Sequence, residues 1–235
     1  MRLEDRISKT DWMAASTALD ERGMAKIPGL LTPEECAGLK PLFEKREMFR
    51  SRIDMARYSY GEGVYQYFAN PLPEIVARLR SALYPPLGRI ANDWAERFGE
   101  DPAWPEDHDE LLDRCRAAGQ TKPTPLMLKY RSGDYNCLHQ DLYGEVHFPL
   151  QAVIMLSDPE TDFSGGEFVL VENRPRLQSR VYVARLGQGD CAIFPVREKP
   201  RATKRGWSKS QLRHGVSIVE EGERMTLGII FHDAA

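Results

Sequence analysis

The sequence predicts an α+β fold in which a helical N-terminal region, residues 1–120, packs on a β-barrel or sandwich formed by residues 121–235, the two making one domain. Three observations lead there. Up to Gln120, apolar residues recur at helical spacing between clear start and stop signals. Beyond Gln120 the chain breaks into short β-rich runs bounded by Gly, Pro, Asp or Asn, which is the pattern of a sandwich or barrel. At 235 residues the chain is long enough to close one large core.

The elements follow in order. Asp11 to Glu21 begins on a capping Asp and stops before Gly23, the marks of a short helix. In Leu31-Thr32-Pro33-Glu34-Glu35, Thr32 stands at the N-cap, Pro33 at the first helical position and Glu35 three past the cap, where it closes a capping box. Cys36, Leu39, Leu42 and Phe43 recur at helical spacing, so this helix is expected to reach about Arg46 with that face buried. Residues 52 to 68 alternate polar and apolar side chains around Gly61 and Gly63, as two strands or a strand with an extended loop. Pro73 opens a helix to about Tyr84, Pro85-Pro86 breaks it, and Leu87 to Phe98 resumes. A last helix, Asp107 to Ala118, ends at Gly119. Strands are expected at Leu126 to Arg131, His147 to Leu156, Glu167 to Glu172, Ser179 to Leu186, Cys191 to Val196, Gly215 to Glu220 and Met225 to His232.

Composition removes several classes. With 32 basic and 35 acidic residues the net charge is −3, so no global positive field points to nucleic acid and any such case must rest on a local patch. Cys36, Cys115, Cys137 and Cys191 form no CxxC pair and read as reduced thiols. No run approaches a membrane span and the charged N-terminus is unlike a signal peptide, so a cytoplasmic protein without a membrane partner is expected. Gly187 to Ala192 fits GxGxxA, yet a strand follows where a dinucleotide-binding turn needs a helix. His147 and His232 read as structural, and Trp94 and Trp104 as packing residues.

The chemistry concentrates in Asn136 to Asp141 and Arg213 to Val216. On an extended backbone His139 and Asp141 project to one face and can address one ion together. His214 can supply a second imidazole from another strand, and two imidazoles with one carboxylate leave about three sites open on an octahedral metal. That suits Fe(II), whose vacant positions take substrate and dioxygen. Ten residues on, strand parity puts Arg224, Thr226 and Gly228 on one face, with Met225, Leu227, Ile229 and Phe231 on the other. An arginine pointing into a barrel needs a matching charge. Either a protein carboxylate or the carboxylate of a bound cosubstrate, with the Thr226 hydroxyl helping, meets that need.

These residues resemble the Fe(II)- and 2-oxoglutarate-dependent dioxygenases. His139, Asp141, His214 and Arg224 match in order, with Arg224-Met225-Thr226 similar to the family's RxS/T clamp. Tyr130-Arg131-Ser132-Gly133-Asp134 looks like its Tyr-x-x-Gly-Asp segment, and Gly165-Gly166-Glu167 with Gly189 to Pro195 like its mid-barrel turns. Ile27 to Glu35 resembles the lead-in of prolyl-hydroxylase-like members. The resemblance implies a double-stranded β-helix (jelly-roll) core, with Fe(II), 2-oxoglutarate and O2 as cofactor and cosubstrates. It implies metal ligation by His139, Asp141 and His214, and a cosubstrate carboxylate gripped by Arg224 with Tyr130 or Thr226. The implied reaction hydroxylates a C–H bond with release of succinate and CO2.

For the substrate, Arg197 to Arg213 holds seven basic residues against Glu198, a local +6. Read as a loop running into His214, it is expected near the barrel mouth, where Lys204 and Arg205 meet phosphates and Trp207 stacks on a base. The order Tyr-x-x-Gly-Asp, HxD, Phe-Pro also occurs in AlkB-type demethylases of alkylated bases, and His139 to Gly144 with Phe148 to Gln151 resembles a bacterial subgroup proposed to act on nucleic acid. Three functions remain open: oxidative demethylation of alkylated nucleic acid in single-stranded or flipped form, the same chemistry on a protein side chain such as proline or on a small metabolite, and a non-catalytic jelly roll binding metal or ligand.

Overall fold

A computed structural model describes residues 1–142, 144–174 and 176–235. Helices α1 (Leu3–Ser8) and α2 (Trp12–Arg22) open the chain, the second capped by Asp11, whose carboxylate accepts from the Ala14 N–H at 2.9 Å. Strand β1 (Ala25–Ile27) leads to α3 (Pro33–Leu39), where the capping box is present in full. Thr32 Oγ1 accepts from the Glu35 N–H at 3.2 Å, and Glu35 Oε2 accepts from the Thr32 N–H at 2.8 Å. The α-helix stops at Leu39 instead of reaching Arg46 and tightens into a 3-10 turn, Lys40–Glu44, because Pro41 has no N–H to continue the ladder. Next come β2 (Phe49–Asp54), a 3-10 turn (Met55–Tyr58), β3 (Gly61–Glu62) and β4 (Val64–Phe68).

The helix α4 (Glu74–Phe98) is continuous through Pro85 and Pro86, where a break was expected. Its apolar stripe carries on across both prolines through Val76, Leu79, Leu83, Leu87, Ile90 and Trp94, all buried. Burial worth about 1.5–3 kcal/mol for each large side chain outweighs the roughly 3 kcal/mol that an interior proline costs. The last helix is α5 (His108–Ala117). No helix among the described residues is long and apolar enough to cross a membrane.

The strands that follow are β5 (Leu126–Arg131), β6 (Tyr135–His139), β7 (Leu150–Met155), β8 (Phe163–Gly165), β9 (Phe168–Asn173), β10 (Arg180–Ala184), β11 (Cys191–Pro195), β12 (Glu198–Thr203), β13 (Gly206–Val216) and β14 (Val219–Ile230). Among the described residues they form two antiparallel sheets. One runs β1-β11-β7-β14-β5-β4-β2, with β8 on β14; the other runs β10-β9-β13-β6-β3, with β12 on β13. One face of the first sheet, including Leu227, Ile229 and Ile154, packs on α4 residues such as Leu79 and Leu83. Its opposite face, including Tyr130 and Val153, packs on Phe168, Leu170 and Leu212 of the second sheet. Strand β7 is buried at every residue because both its faces are covered.

Two expectations about the C-terminal third change. Residues 197–213 are not a loop: β12 and β13 pair from Glu198↔Gln211 to Thr203↔Gly206 as a two-stranded ribbon. The end of the chain also divides differently from the expected strands Gly215 to Glu220 and Met225 to His232: β13 stops at Val216 and β14 starts at Val219, so the break between them falls at Ser217-Ile218. Gly222 lies inside β14 at φ 80, opposite Phe163, where a Cβ would approach Asp162 O to 2.0 Å. The glycine that signals a turn in the sequence serves an irregular strand pairing instead.

Candidate active site

Antiparallel pairing of β6 with β13 sets His139 directly opposite His214, and Asp141 follows two residues after His139. Asp141 Oδ2 lies 3.1 Å from His214 Nε2, Asp141 Oδ1 lies 3.4 Å from His139 Nε2, and the imidazole centroids are 4.2 Å apart. One ligand atom from each residue falls within 4.8 Å of the others, close enough to share one ion. His139 Nδ1 is 2.8 Å from the Cys137 carbonyl, to which it donates, and this turns Nε2 toward the Asp141 carboxylate as the nitrogen that would ligate an ion on giving up its own proton.

The electrostatics follow from burial and proximity. Burial opposes the Asp141 charge, but His214 and His139 outweigh it and hold the carboxyl well below its ordinary value. Burial, aided by His139, pushes the His214 imidazole down. For His139 burial works against protonation, and the Asp141 hydrogen bond and charge prevail, raising it. An anionic carboxylate, mostly enclosed, with two imidazoles that give up their Nε2 protons to an arriving cation is a donor set for a divalent transition metal. A residue outside the sequence reading completes it: Gln151 on β7, 3% exposed, donates from Nε2 to Asp141 Oδ2 at 2.9 Å. Its only sequence signal was a polar residue inside an otherwise apolar strand.

Arg224 lies on β14 opposite Tyr130 of β5, and Thr226 lies opposite Leu128. The parity argument holds: Arg224, Thr226 and Gly228 line the same cavity of about 480 Å³ as His139, Asp141 and His214, while Leu227, Ile229 and Phe231 enter the helix-facing core. Arg224 is 1% exposed, and none of its guanidinium nitrogens has a hydrogen-bond partner among the described residues. The guanidinium carbon sits 5.5 Å from the Tyr130 ring centroid, and burial lowers its pKa from 12.5 to about 10. Gly166 makes room for the stem, since a Cβ there would lie 2.9 Å from Arg224 Cδ. The protein carboxylate that was the alternative partner is not there: Glu167, the acid whose charge Arg224 feels, hydrogen-bonds Ser217 instead. A buried, unpaired guanidinium costs several kcal/mol unless an anion from outside joins it.

A sequence model of the Oxygenase-NA family, described as oxygenase catalysing oxidative methylation of damaged DNA, matches residues 63–234. The chain belongs to the Oxygenase-NA family. Two uncharacterised proteins from two strains of Mycobacterium tuberculosis are 55% identical to this oxygenase over 168 residues, 72% of each chain. Its fold is shared with a Pseudomonas putida prolyl-4-hydroxylase (TM-score 0.54, 13% identity, 92% of this chain and 96% of that one). It is shared also with a Burkholderia pseudomallei oxidoreductase of the 2OG-Fe(II) oxygenase family (TM-score 0.56, 16% identity, 97% and 94%). The two sheets of the Oxygenase-NA protein are therefore those of a double-stranded β-helix, and the chain is an Fe(II)- and 2-oxoglutarate-dependent dioxygenase.

The remaining residues singled out in the sequence stand elsewhere in this dioxygenase. Lys204 and Arg205 form the tip of the β12–β13 ribbon, and Trp207 lies seven residues before His214 along one strand, about 23 Å at 3.3 Å per residue. None of the three lines the cavity, and Arg97 of α4 covers the Trp207 ring at 4.8 Å. Two of the ribbon's seven basic residues are paired locally: Lys209 with Glu100 and Glu198, each at 2.8 Å, and the buried Lys199 with Glu172 at 3.4 Å. His147 is exposed outside the cluster, and buried His232 accepts the Phe148 N–H at 3.1 Å. Trp94 is core, its Nε1 donating to Asp20 at 2.8 Å, and Trp104 packs edge-on against Phe148.

Proposed function

We propose that His139, Asp141 and His214 hold the iron, that Arg224 binds the distal carboxylate of 2-oxoglutarate with Thr226 and Tyr130 beside it, and that the substrate is an N-alkylated base of nucleic acid, presented single-stranded or flipped, which the enzyme demethylates. The observation that carries the cosubstrate assignment is the unpartnered guanidinium of Arg224 in the cavity that the metal cluster lines. The family description, which names damaged DNA, supports the substrate class.

When bound, iron with 2-oxoglutarate and O2 supplies the oxidising power that turns a substrate C–H into C–OH, with succinate and CO2 as co-products. The chain's own residues do the rest. Gln151 fixes one oxygen of Asp141, and the Cys137 carbonyl fixes the His139 tautomer, so the ligand set is oriented before the ion arrives. Arg224 pairs with the carboxylate at low dielectric, where a charge-assisted bidentate contact is strong. An N-methyl group oxidised in this way leaves the ring nitrogen as formaldehyde. Residues 1–235 act as one dioxygenase domain, with the helical region backing the first sheet, and Lys204 and Arg205 meet backbone phosphates several nucleotides from the reacting base.

The test is product analysis. Succinate formation that requires Fe(II), 2-oxoglutarate and O2, is stimulated by a single-stranded oligodeoxynucleotide carrying one N-methylated base, and is matched by formaldehyde, supports the reading. Stimulation by a proline-containing peptide and not by the oligonucleotide overturns the substrate assignment. An anaerobic titration with Fe(II) and 2-oxoglutarate that gives no visible charge-transfer band overturns the site.

A further inference from the structure

The mouth of the cavity carries an aromatic feature that nothing in the metal or cosubstrate chemistry uses. Tyr58 and Tyr60, at the end of the 3-10 turn between β2 and β3, stack on one another with ring centroids 5.5 Å apart and an interplanar angle of 19°. They are 57% and 50% exposed, and Tyr60 lines the same cavity as the His139, Asp141 and His214 cluster. Large rings stacked face to face in solvent forgo much of the burial that normally stabilises them, and they present flat surfaces to a ligand.

The stack is fixed relative to the metal cluster. The Tyr60 carbonyl accepts from the Cys137 N–H at 2.8 Å, two residues from His139 on the same strand. The Tyr60 N–H in turn donates to the Met55 carbonyl at 3.2 Å, which closes the turn. Ser59 between the rings takes a left-handed conformation, φ 58, which sends the two side chains the same way. The platform therefore moves with β6 and not as a free loop.

The surrounding charge has the sign that a phosphate backbone requires. From Lys45 to Tyr60 the chain holds Lys45, Arg46, Arg50, Arg52 and Arg57 against Glu47 and Asp54, a local +3 in a chain of −3. Arg50 lies with its guanidinium carbon 4.6 Å from the centroid of Tyr67, another ring of the cavity wall, its Nε donating to the Pro123 carbonyl at 2.9 Å, and Arg57, its Nε 3.8 Å from the Asp54 carboxylate, directly precedes the stack. Leu138 and Leu142, 44% and 46% exposed, also line the cavity. Stacking rings edged by arginines form the kind of surface that binds single-stranded nucleic acid with little regard to sequence.

We propose that the Tyr58–Tyr60 stack is the platform on which a nucleobase of the substrate strand rests at the cavity mouth, with Arg50 and Arg57 toward its phosphates. This deepens the nucleic-acid reading above and rests on it. It also assigns base stacking to a segment other than the β12–β13 ribbon.

The test is equilibrium binding of a fluorescent 12-residue oligothymidylate to the wild type, Tyr58→Leu, Tyr60→Leu, Tyr60→Phe and Tyr60→Trp, with thermal unfolding of each variant as the folding control. Loss of one stacking ring weakens binding about 5- to 150-fold. The expected result is a loss of that size for both leucine variants, retention for the phenylalanine and tryptophan variants, and unchanged unfolding temperatures. Wild-type binding with leucine variants that bind equally well overturns the platform and leaves the nucleic-acid reading standing. No oligonucleotide binding by the folded wild type overturns both. Tyrosine-dependent binding of a proline-rich decapeptide in place of the oligonucleotide overturns both as well and assigns the platform to a peptide.

Discussion

Replacing Arg224 by Met separates stability from function at a single atom group. The guanidinium is 1% exposed and without a hydrogen bond, and burial lowers its pKa from 12.5 to about 10. At about 1.4 kcal/mol per pKa unit, folding with the cation in place costs roughly 3 kcal/mol in the unliganded protein. Methionine keeps most of the apolar stem and its packing against Tyr130 while removing the charge, and such replacements of buried charges gain about 1–4 kcal/mol. Arg224→Met is therefore expected to be about 1–3 kcal/mol more stable than wild type in urea unfolding without cosubstrate. Adding 2-oxoglutarate reverses the order: at a hundredfold excess over its dissociation constant it stabilises the wild type by about 2.7 kcal/mol and the variant by nothing. A variant that is less stable than wild type when unliganded, and is still stabilised by 2-oxoglutarate, would refute the reasoning, because the guanidinium would then have a protein partner and the diacid another anchor.

Three further outcomes are expected. His139→Ala and Asp141→Ala each abolish iron-dependent turnover while circular dichroism stays native, and a variant with full iron occupancy and retained activity would remove that residue from the ligand set. Gln151→Leu, which frees Asp141 Oδ2 from its 2.9 Å hydrogen bond, weakens Fe(II) binding about 10- to 100-fold, as followed by competition with a chelator; unchanged affinity would reduce Gln151 to a packing role. Burial lowers the His108 pKa from 6.5 to about 4, so as pH falls the unfolded chain takes up that proton first. This contribution, about 3 kcal/mol, is fully present above pH 6.5 and is lost between pH 6.5 and 4; it appears as the difference between wild type and His108→Gln in urea midpoints, and an NMR titration placing His108 near 6.5 would contradict it.

The helix caps, the alternation of β14 and the order His139, Asp141, His214, Arg224 were legible because each depends on chemistry local to a few residues. Thr32 and Glu35 satisfy each other's backbone N–H groups wherever the helix packs, and a pleated strand sends Arg224 and Thr226 to one side whatever lies there. Other features were illegible for the converse reason. The continuity of α4 through Pro85 and Pro86 rests on the face it buries against the first sheet. The β12–β13 ribbon hides its pairing because its inward residues include Lys199 and Ser210, which are buried through contacts with Glu172 and so break the apolar alternation that marks a strand.

By itself the sequence determined the residue types of the candidate site, their order along the chain and the placing of a cation two positions from a hydroxyl on one strand face, since those follow from residue identity and backbone periodicity. Tertiary structure alone decided that β6 and β13 pair in the register that sets His139 opposite His214, that Gln151 reaches Asp141, and that the exposed rings beside the cavity are Tyr58 and Tyr60 and not Trp207. The physical reason is sequence separation: contacts between segments tens of residues apart are chosen by the global minimum of packing and hydrogen bonding, which no local pattern encodes.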